Sequence, residues 1–415
     1  MPRFRLSFWP SNHSTHRETI VKKHILLMPL ALLAFAAGPV WGEAYFQGEH
    51  IFPEQNKHCH SSSVVECPNG DLLACWFYGS GERNANDVVV QGARLKKGAK
   101  EWSPVFLMAD TPGVPDCNPI LFIDAKDRLW LFWIAVRANA WEHAVLKYRR
   151  AEKYTGKGAP QWSWQDVILL KPGDEFVEAT EKAFKELNPP EHLWAEYAPQ
   201  YSKMIIEASK DKAKREEGWM TRQNPVVLPS GRILLPLYSD GFNASLMAIS
   251  DDLGETWRPS LPIVGLGPIQ PAVVRKADGT LWSYMRDSGG EPKRALWSES
   301  KDDGVTWSPA IDTDIPNPGS SLAVRALADG RWVMAFNNAD LGRHVLTLAL
   351  SDDEGATWKW KRDLERAEPG KGGFAYPSLV QGRNGRLHIS YSYHVGDAGK
   401  TIKHVALDPE WITEQ

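Results

Sequence analysis

Apolar residues in this chain fall in short runs punctuated by turns, and the stretch from Gly267 to Trp307 holds one full period of the pattern. Gln270-Pro271 opens it, and an apolar run, Ala272 to Val274, follows. Asp278-Gly279 supplies a tight turn, because Gly accepts the positive φ such hairpins need. A second, aromatic-rich run, Leu281 to Met285, leads back to Arg286. A third, Ala295 to Glu299, enters SKDDGVTW, Ser300 to Trp307. Runs of this length bounded by turn residues predict antiparallel strands.

The unit recurs. The closing motif S-x-D-x-G-x-T-W spans Ser250 to Trp257, Ser300 to Trp307 and Ser351 to Trp358, with starts 50 and 51 residues apart. Degenerate forms end at Trp102 and Trp162. Hairpin turns recur at Asn69-Gly70, Lys126-Asp127, Ser230-Gly231, Asp278-Gly279, Asp329-Gly330 and Asn384-Gly385, at intervals of 57, 104, 48, 51 and 55. Only the second interval is anomalous, and it holds an insertion, residues 174–218. Six units of four short strands predict an all-β fold: a six-bladed β-propeller over residues 43–415 with a helical insertion between blades two and three. The 19 tryptophans fit an aromatic packing residue repeated in each blade.

Strand direction locates the chemistry. Each inner strand runs from a polar opening residue towards its turn, so the opening residues gather at one end of the channel. They are His60, Asn118, Asn224, Gln270, Ser321 and Tyr376. Returning strands deliver Tyr238, Arg286, Asn337 and Ser392 to the same end, and their outgoing loops add Glu82, Asp87, Arg137 and Arg343. This end is a polar cup. The S-x-D-x-G-x-T-W turns lie opposite, where Asp and Ser/Thr bond the turn backbone, so Asp252, Asp302 and Asp353 are structural.

In the insertion, Phe176, Ala179, Ala183, Phe184 and Leu187 recur at helical spacing, as do Trp194, Tyr197, Tyr201, Met204 and Ile205, with Pro189-Pro190 between the two helices. It joins an outer strand to the next inner strand, which predicts attachment on the cup face as a wall or lid. The plainer alternative is packing against the blade's outer edge.

Composition narrows the setting. Net charge is −3 with both signs interspersed, which makes no case for nucleic acid. Residues 1–42 read as a signal peptide with an extended n-region: Lys22-Lys23-His24 is basic, Ile25 to Ala37 is apolar, and Val40-Trp41-Gly42 or Gly42-Glu43-Ala44 suits cleavage. A secreted or periplasmic protein with no membrane span in the mature chain is expected, a retained anchor being the alternative. Such compartments permit disulfides. With Asn69-Gly70 as the turn, Cys67 faces Leu72 rather than Cys75, which argues against that bridge; a Cys59–Cys117 bridge stays open. No cysteine or histidine spacing suggests zinc, and neither metal nor cofactor is expected.

At these residues the chain resembles the sialidase superfamily, whose Asp-box repeats and propeller it matches from about residue 50 onward. The resemblance implies that Arg286, in LWSYMR, and Arg343, in GRHVLTLALSDDEG, are the second and third arginines of a triad gripping the substrate carboxylate. It implies that Tyr376, in GFAYPSL, is the tyrosine nucleophile. A guanidinium fork suits a planar carboxylate, which is why Arg serves rather than Lys.

Two positions depart from the family. His60, in CHSSSVV, stands where the first arginine is expected, and Gln270 where the glutamate that activates the tyrosine is expected. A neutral amide cannot take the phenolic proton. Asp87 and Glu82, in GSGERNANDV, both lie in the loop of the acid/base aspartate. Asn118, Asn224 and Gln270 are candidate substrate contacts, or ties between adjacent blades. The set is also similar to a propeller branch of rhamnosidases and uronate lyases that use a cup histidine. Three functions follow: hydrolysis of a glycosidic bond at a sialic or uronic acid, elimination or exo-cleavage of uronate- or rhamnose-containing glycans by His60 and Tyr376, and glycan binding without catalysis. In each the partner is an acidic oligosaccharide or polysaccharide.

Overall fold

The computed structural model describes residues 43–187, 193–396 and 399–414. Residues 1–42, where a signal peptide is expected, Pro189-Pro190 and the side chains of Trp194 and Tyr197 lie outside the described residues. Short strand β1 (Phe46–His50) precedes the first blade, β2 (His58–Glu66), β3 (Leu72–Gly79), β4 (Val89–Leu95) and β5 (Phe106–Ala109). Blade two is β6 (Asp116–Ile123), β7 (Leu129–Val136), β8 (Ala144–Ala151) and β9 (Trp164–Val167). Helices α1 (Asp174–Glu186), α2 (Leu193–Lys210) and α3 (Lys212–Glu216) follow. Blade three is β10 (Met220–Thr221), β11 (Val226–Val227), β12 (Ile233–Ser239), β13 (Ala244–Ser250) and β14 (Arg258–Pro259), β10 and β11 being two pieces of one inner strand paired with β12.

Blade four is β15 (Pro268–Arg275), β16 (Leu281–Asp287), β17 (Arg294–Ser300) and β18 (Ile311–Pro316). Blade five is β19 (Ala323–Ala326), β20 (Trp332–Phe336), β21 (Val345–Ser351) and β22 (Trp360–Arg366). Blade six is β23 (Gly372–Gln381), β24 (Leu387–Val395) and β25 (Lys400–Leu407), completed by β1, which pairs antiparallel with β25 from Phe46↔Leu407 to His50↔Lys403. Six four-stranded units thus close one ring, as the repeat spacing predicts.

The S-x-D-x-G-x-T-W turns show why their residue types recur. Asp302 Oδ1 accepts from Ser300 Oγ at 2.8 Å and from Thr306 N at 2.9 Å, while Oδ2 accepts from Thr306 Oγ1 at 2.6 Å. Asp252 and Asp353 repeat these bonds. The turn glycine has φ of +83° at Gly304, and a Cβ there would stand 2.8 Å from Leu234 of the preceding blade. At Gly254 it would stand 2.6 Å from Trp130, also one blade back. Each turn is therefore a close joint between blades as well as a hairpin, which is a reason for glycine beyond its dihedral freedom.

The helices sit on blade three through an aromatic contact. Phe176 of α1 meets Trp219 and Phe242 edge-on, with centroids 6.1 and 5.5 Å away, and those two rings stack on each other at 6.0 Å. From α2, Ile205 is buried whereas Met204 is 69% exposed, so the expected apolar stripe is narrower by that residue. The insertion also has a third helix. Asp211 caps it by accepting from Ala213 N at 2.9 Å.

All four cysteines are free and buried, so the Cys59–Cys117 bridge is not formed. The first hairpin is offset by one residue from expectation: Leu72 faces Glu66, and Cys67 N donates to Asp71 O. Below the cup, the inner strands enclose an axial cavity of about 510 Å³ lined by Val65, Leu121, Val274, Val324 and Leu379.

Candidate active site

Four inner strands carry the same defect at the cup. At Ser61, Asn118, Gln270 and Tyr376 the backbone has φ between 51° and 58°, where residues with a Cβ are rare. In each case the ladder skips two residues; Ile269 faces Arg286, for example, and the next pair is Ala272 with Tyr284. Such bulges interrupt the alternation of side chains and re-aim one of them. A following proline (Pro119, Pro271, Pro377) has no N–H for the skipped ladder position to lose. Sequence counting put His60 in this series; the structure gives the place to Ser61, with His60 one residue earlier.

Blade three departs further. Between β10 and β11, Arg222 to Pro225 leave the sheet and cross towards the other blades. Gln223 Nε2 donates to Ser321 Oγ at 3.1 Å and to Leu322 O at 2.6 Å, both in blade five's segment. Arg222 Nη2 reaches Pro377 O of blade six at 3.3 Å, and Ser63 Oγ of blade one donates to Asn224 Oδ1 at 3.4 Å. The excursion floors the cup. Asn224 therefore lines the axial cavity beneath rather than the cup, and Arg222 takes the place expected of it.

Tyr376 is the centre of what remains. Its hydroxyl accepts from Arg286 Nη1 at 2.9 Å and from Gln270 Nε2 at 3.2 Å. The guanidinium carbons of Arg222 and Arg343 lie 4.7 and 5.2 Å from its ring centre. Burial opposes the phenolate, but Arg286, Arg343, the Gln270 amide and Arg222 together outweigh it and hold the phenol below its ordinary range. Neighbouring Tyr238 is the reverse. It accepts from Asn118 Nδ2 at 3.1 Å and Gln270 Nε2 at 3.3 Å, and burial, with Asp240 and Tyr376 nearby, pushes it well up.

The charge balance is one-sided. Arg222, Arg286 and Arg343 belong to no ion pair among the described residues, although Arg222 is buried deeply enough to be pushed down to about 10. Arg222 Nε and Nη1, Arg286 Nε and Gln270 Oε1 are buried without a protein partner. Buried donors left unpaired cost about 1–3 kcal/mol each. Such a group of guanidiniums is an anion site, and its forks match a carboxylate.

His60 lies against Tyr376 with ring centres 4.1 Å apart, and its Nδ1 is 2.6 Å from Ser392 Oγ. Burial, then the charges of Arg343, His58 and Arg222, push it well below the ordinary histidine range, so the ring is neutral. Glu82 is paired with His58 at 3.2 Å and held low by that bond; it feels Arg343 as well. Asp87 is exposed and turned to its own loop, accepting from Ser80 N at 3.0 Å and Ser80 Oγ at 2.6 Å, with Lys57 at 3.4 Å. Asn337 spends its amide on Val345 O and Phe374 O, both at 2.7 Å. Arg137 points to Glu217, 3.5 Å away.

Sequence reasoning missed Arg222, Tyr238's role as hub, and Asp240. Asp240 follows β12, is solvent-exposed and makes no hydrogen bond or ion pair among the described residues; the protein packed around its loop pushes its carboxyl up, against the opposing charges of Arg286 and Arg83. The signal for Arg222 was available in TRQNP, where a basic residue precedes the expected polar-proline pair by two positions.

A closed ring of six four-stranded blades is the architecture of the sialidases. The structure superposes on the leech intramolecular trans-sialidase with TM-score 0.63 at 14% identity over 88% of this chain and 71% of that one. The intramolecular trans-sialidase of Ruminococcus gnavus gives 0.61 at 14%, covering 88% and 98%. A protein of unknown function from Dyadobacter fermentans gives 0.63 at 17%, covering 88% and 99%. The chain belongs to the BNR repeat-like domain family, whose profile matches residues 70–181 and 217–389. No curated protein matches the sequence.

Proposed function

We propose that this protein cleaves a glycosidic bond at an acidic sugar, with Tyr376 as the reacting group. The observation that carries the reading is the set of three guanidiniums around one phenol, none of them in an ion pair among the described residues. A sugar carboxylate laid across Arg222, Arg286 and Arg343 satisfies their free donors and brings the anomeric carbon to the Tyr376 oxygen. The phenolate attacks that carbon as the bond to the departing oxygen breaks. Gln270 cannot accept the proton, so ionisation rests on the arginines.

Of the carboxyls near the cup, Glu82 is held low by His58 and Asp87 by Ser80, while Asp240 has no hydrogen-bond or ion-pair partner among the described residues and is raised. Asp240 is therefore read as the group that protonates the departing oxygen and, as carboxylate, activates the water that releases the sugar from Tyr376.

A second reading has its own support in the contact between the neutral His60 ring and Tyr376. There the arginines acidify the C–H beside a uronate carboxylate; one of His60 and Tyr376 removes that proton as the C4–O bond breaks, and the other protonates the departing oxygen. The test incubates the protein with sialyllactose and with uronate- and rhamnose-containing oligosaccharides, and weighs the products. Hydrolysis adds one water, whereas elimination adds none and creates an ultraviolet-absorbing unsaturated uronate. Tyr376→Phe is expected to slow hydrolysis by at least about 10²-fold. Retained turnover in that variant overturns the first reading, and binding without turnover of any substrate leaves a glycan-binding propeller. Export through the basic and apolar leader, residues 22–37, is part of the proposal; the N-terminal sequence of protein recovered outside the cytoplasm checks it.

A further inference from the structure

The ring has a second mouth. Each inner strand has a neighbour on one side only, so its other edge turns alternate N–H and C=O groups towards the axis. Gln223, Asn224 and Pro225 of the excursion close the axis from the cup side, and beneath them lies the cavity of about 510 Å³. Its far end is lined by the last residues of the inner strands: Arg275 ends β15, and Arg325 is the third residue of the four in β19, on the next blade. The cavity therefore belongs to the end of the ring that carries the S-x-D-x-G-x-T-W turns, and the excursion separates it from Tyr376.

Four charged residues line it: Glu66, Arg275, Arg325 and Arg383. Two of them engage each other. Glu66 Oε1 lies 3.4 Å from Arg383 Nη2, Glu66 Oε2 accepts from Arg383 N at 2.8 Å, and Arg383 Nη2 also donates to Cys67 O. Arg275 and Arg325 have no such partner: neither makes a hydrogen bond or ion pair with its side chain among the described residues, and Arg275 Nε is buried without an acceptor. Asp278, in the turn after β15, feels the charge of Arg275 without pairing with it. Arg325 is accessible from the cavity yet enclosed by protein, which pulls it below the ordinary arginine range. At the roof, Asn224 gives its Oδ1 to Ser63 Oγ and leaves its Nδ2 without an acceptor among the described residues. Three guanidiniums against one carboxylate leave two positive charges in the cavity. Holding such charges away from water without a counterion is costly. Two guanidinium forks from adjacent blades, free on one space, suit an oxoanion of matching charge.

We propose that the axial cavity is a second anion site, separate from the cup, which takes a tetrahedral dianion between Arg275 and Arg325 and so ties blade four to blade five. The site stands whether or not the cup turns over an acidic sugar. Sulfate and inorganic phosphate are the probes, each against chloride at equal ionic strength. The cup arginines attract the same ions, so the reference protein is the double variant Arg286→Met, Arg343→Met. Calorimetric titration of that protein is expected to show one sulfate bound with Kd of about 1 mM. Adding Arg325→Gln is expected to weaken binding at least about tenfold. Sulfate also stabilises folded proteins by exclusion from their surfaces, so melting is read as a difference. In about 20 mM sulfate the reference protein should gain about 2 °C more than its Arg325→Gln form. In chloride the Arg325→Gln form should melt level with the reference or above it, because an uncompensated charge has gone. Arg275→Gln is the second variant, with the same loss of binding expected, and it decides the matter if Arg325→Gln does not fold. No sulfate or phosphate binding in the reference protein, or binding that neither substitution weakens, overturns the proposal.

Discussion

The guanidinium of Arg222 lies 4.7 Å from the ring centre of Tyr376, although the first belongs to blade three and the second to blade six, opposite it in the ring. The contact exists because the inner strand of blade three is broken into β10 and β11 and its middle crosses the axis. A six-bladed ring has a channel; here one blade lends four residues to floor it, and one of them becomes part of the cup. Arg222 thereby joins Arg286 and Arg343 around the Tyr376 ring.

Arg222→Met tests that account. Burial of an unpaired guanidinium is costly, and an apolar side chain of similar length removes the cost. The urea midpoint is expected to stay level or rise, while affinity for an acidic monosaccharide falls about tenfold or more. Unchanged affinity would show that Arg222 only holds the floor.

Tyr376 can be followed without any substrate. A spectrophotometric titration of wild-type protein is expected to show one tyrosine ionising below the ordinary range. The step should vanish in Tyr376→Phe and move upward in Arg286→Met, because Arg286 is the strongest of the charges holding it down. An unmoved step in Arg286→Met counts against electrostatic activation.

His388 supplies a pH dependence remote from the cup. Burial lowers it to about 3, with His404 3.1 Å away and Arg386 adding to the shift. Its folded value lies below its unfolded value, so the folded state refuses a proton that the unfolded chain accepts. The stability this group lends is present above about pH 6.5 and is lost as pH falls towards 3. Relative to His388→Gln, wild-type protein should lose about 1.5 kcal/mol between pH 6.5 and 5.0 in urea unfolding. Parallel stability curves would refute the assignment.

Asp302→Ala removes four hydrogen bonds, from Ser300 Oγ, Val305 N, Thr306 N and Thr306 Oγ1, in a turn that is also a joint between blades. A loss of about 1–3 kcal/mol is expected, read as a lower melting temperature. Turnover of the folded protein should stay within about twofold, because this turn is at the end of the ring away from Tyr376.

Much of this molecule is written in its repeats. Turn glycines, box motifs and apolar runs are local, and each follows from short-range sterics, so strand order, blade number and the direction of the cup could be read from spacing. Gln270, Tyr376 and Asn118 were legible for the same reason: a polar residue before proline at a strand start marks the bulge. Arg222 and Asp240 were not. Arg222 matters through a backbone departure that no period announces, and Asp240 through what surrounds it, since an aspartate after a strand is unremarkable until its neighbours are known. Asp87 occupies the expected loop, and what its position could not show is that Ser80, seven positions earlier, engages its carboxylate.

The seam of the ring has a consequence for how the chain is made. Among the described residues β1 pairs with one strand, β25, and Ala44 N donates to Glu414 Oε1 across 370 positions. A ribosome releases the first of these strands long before the second, so during synthesis β1 waits as a bare edge while five other blades assemble beside it. Chains stopped short of β25 keep that edge, the kind of surface on which nascent proteins stick to one another. The pairing of β1 with β25 has to wait until that distant strand has been made.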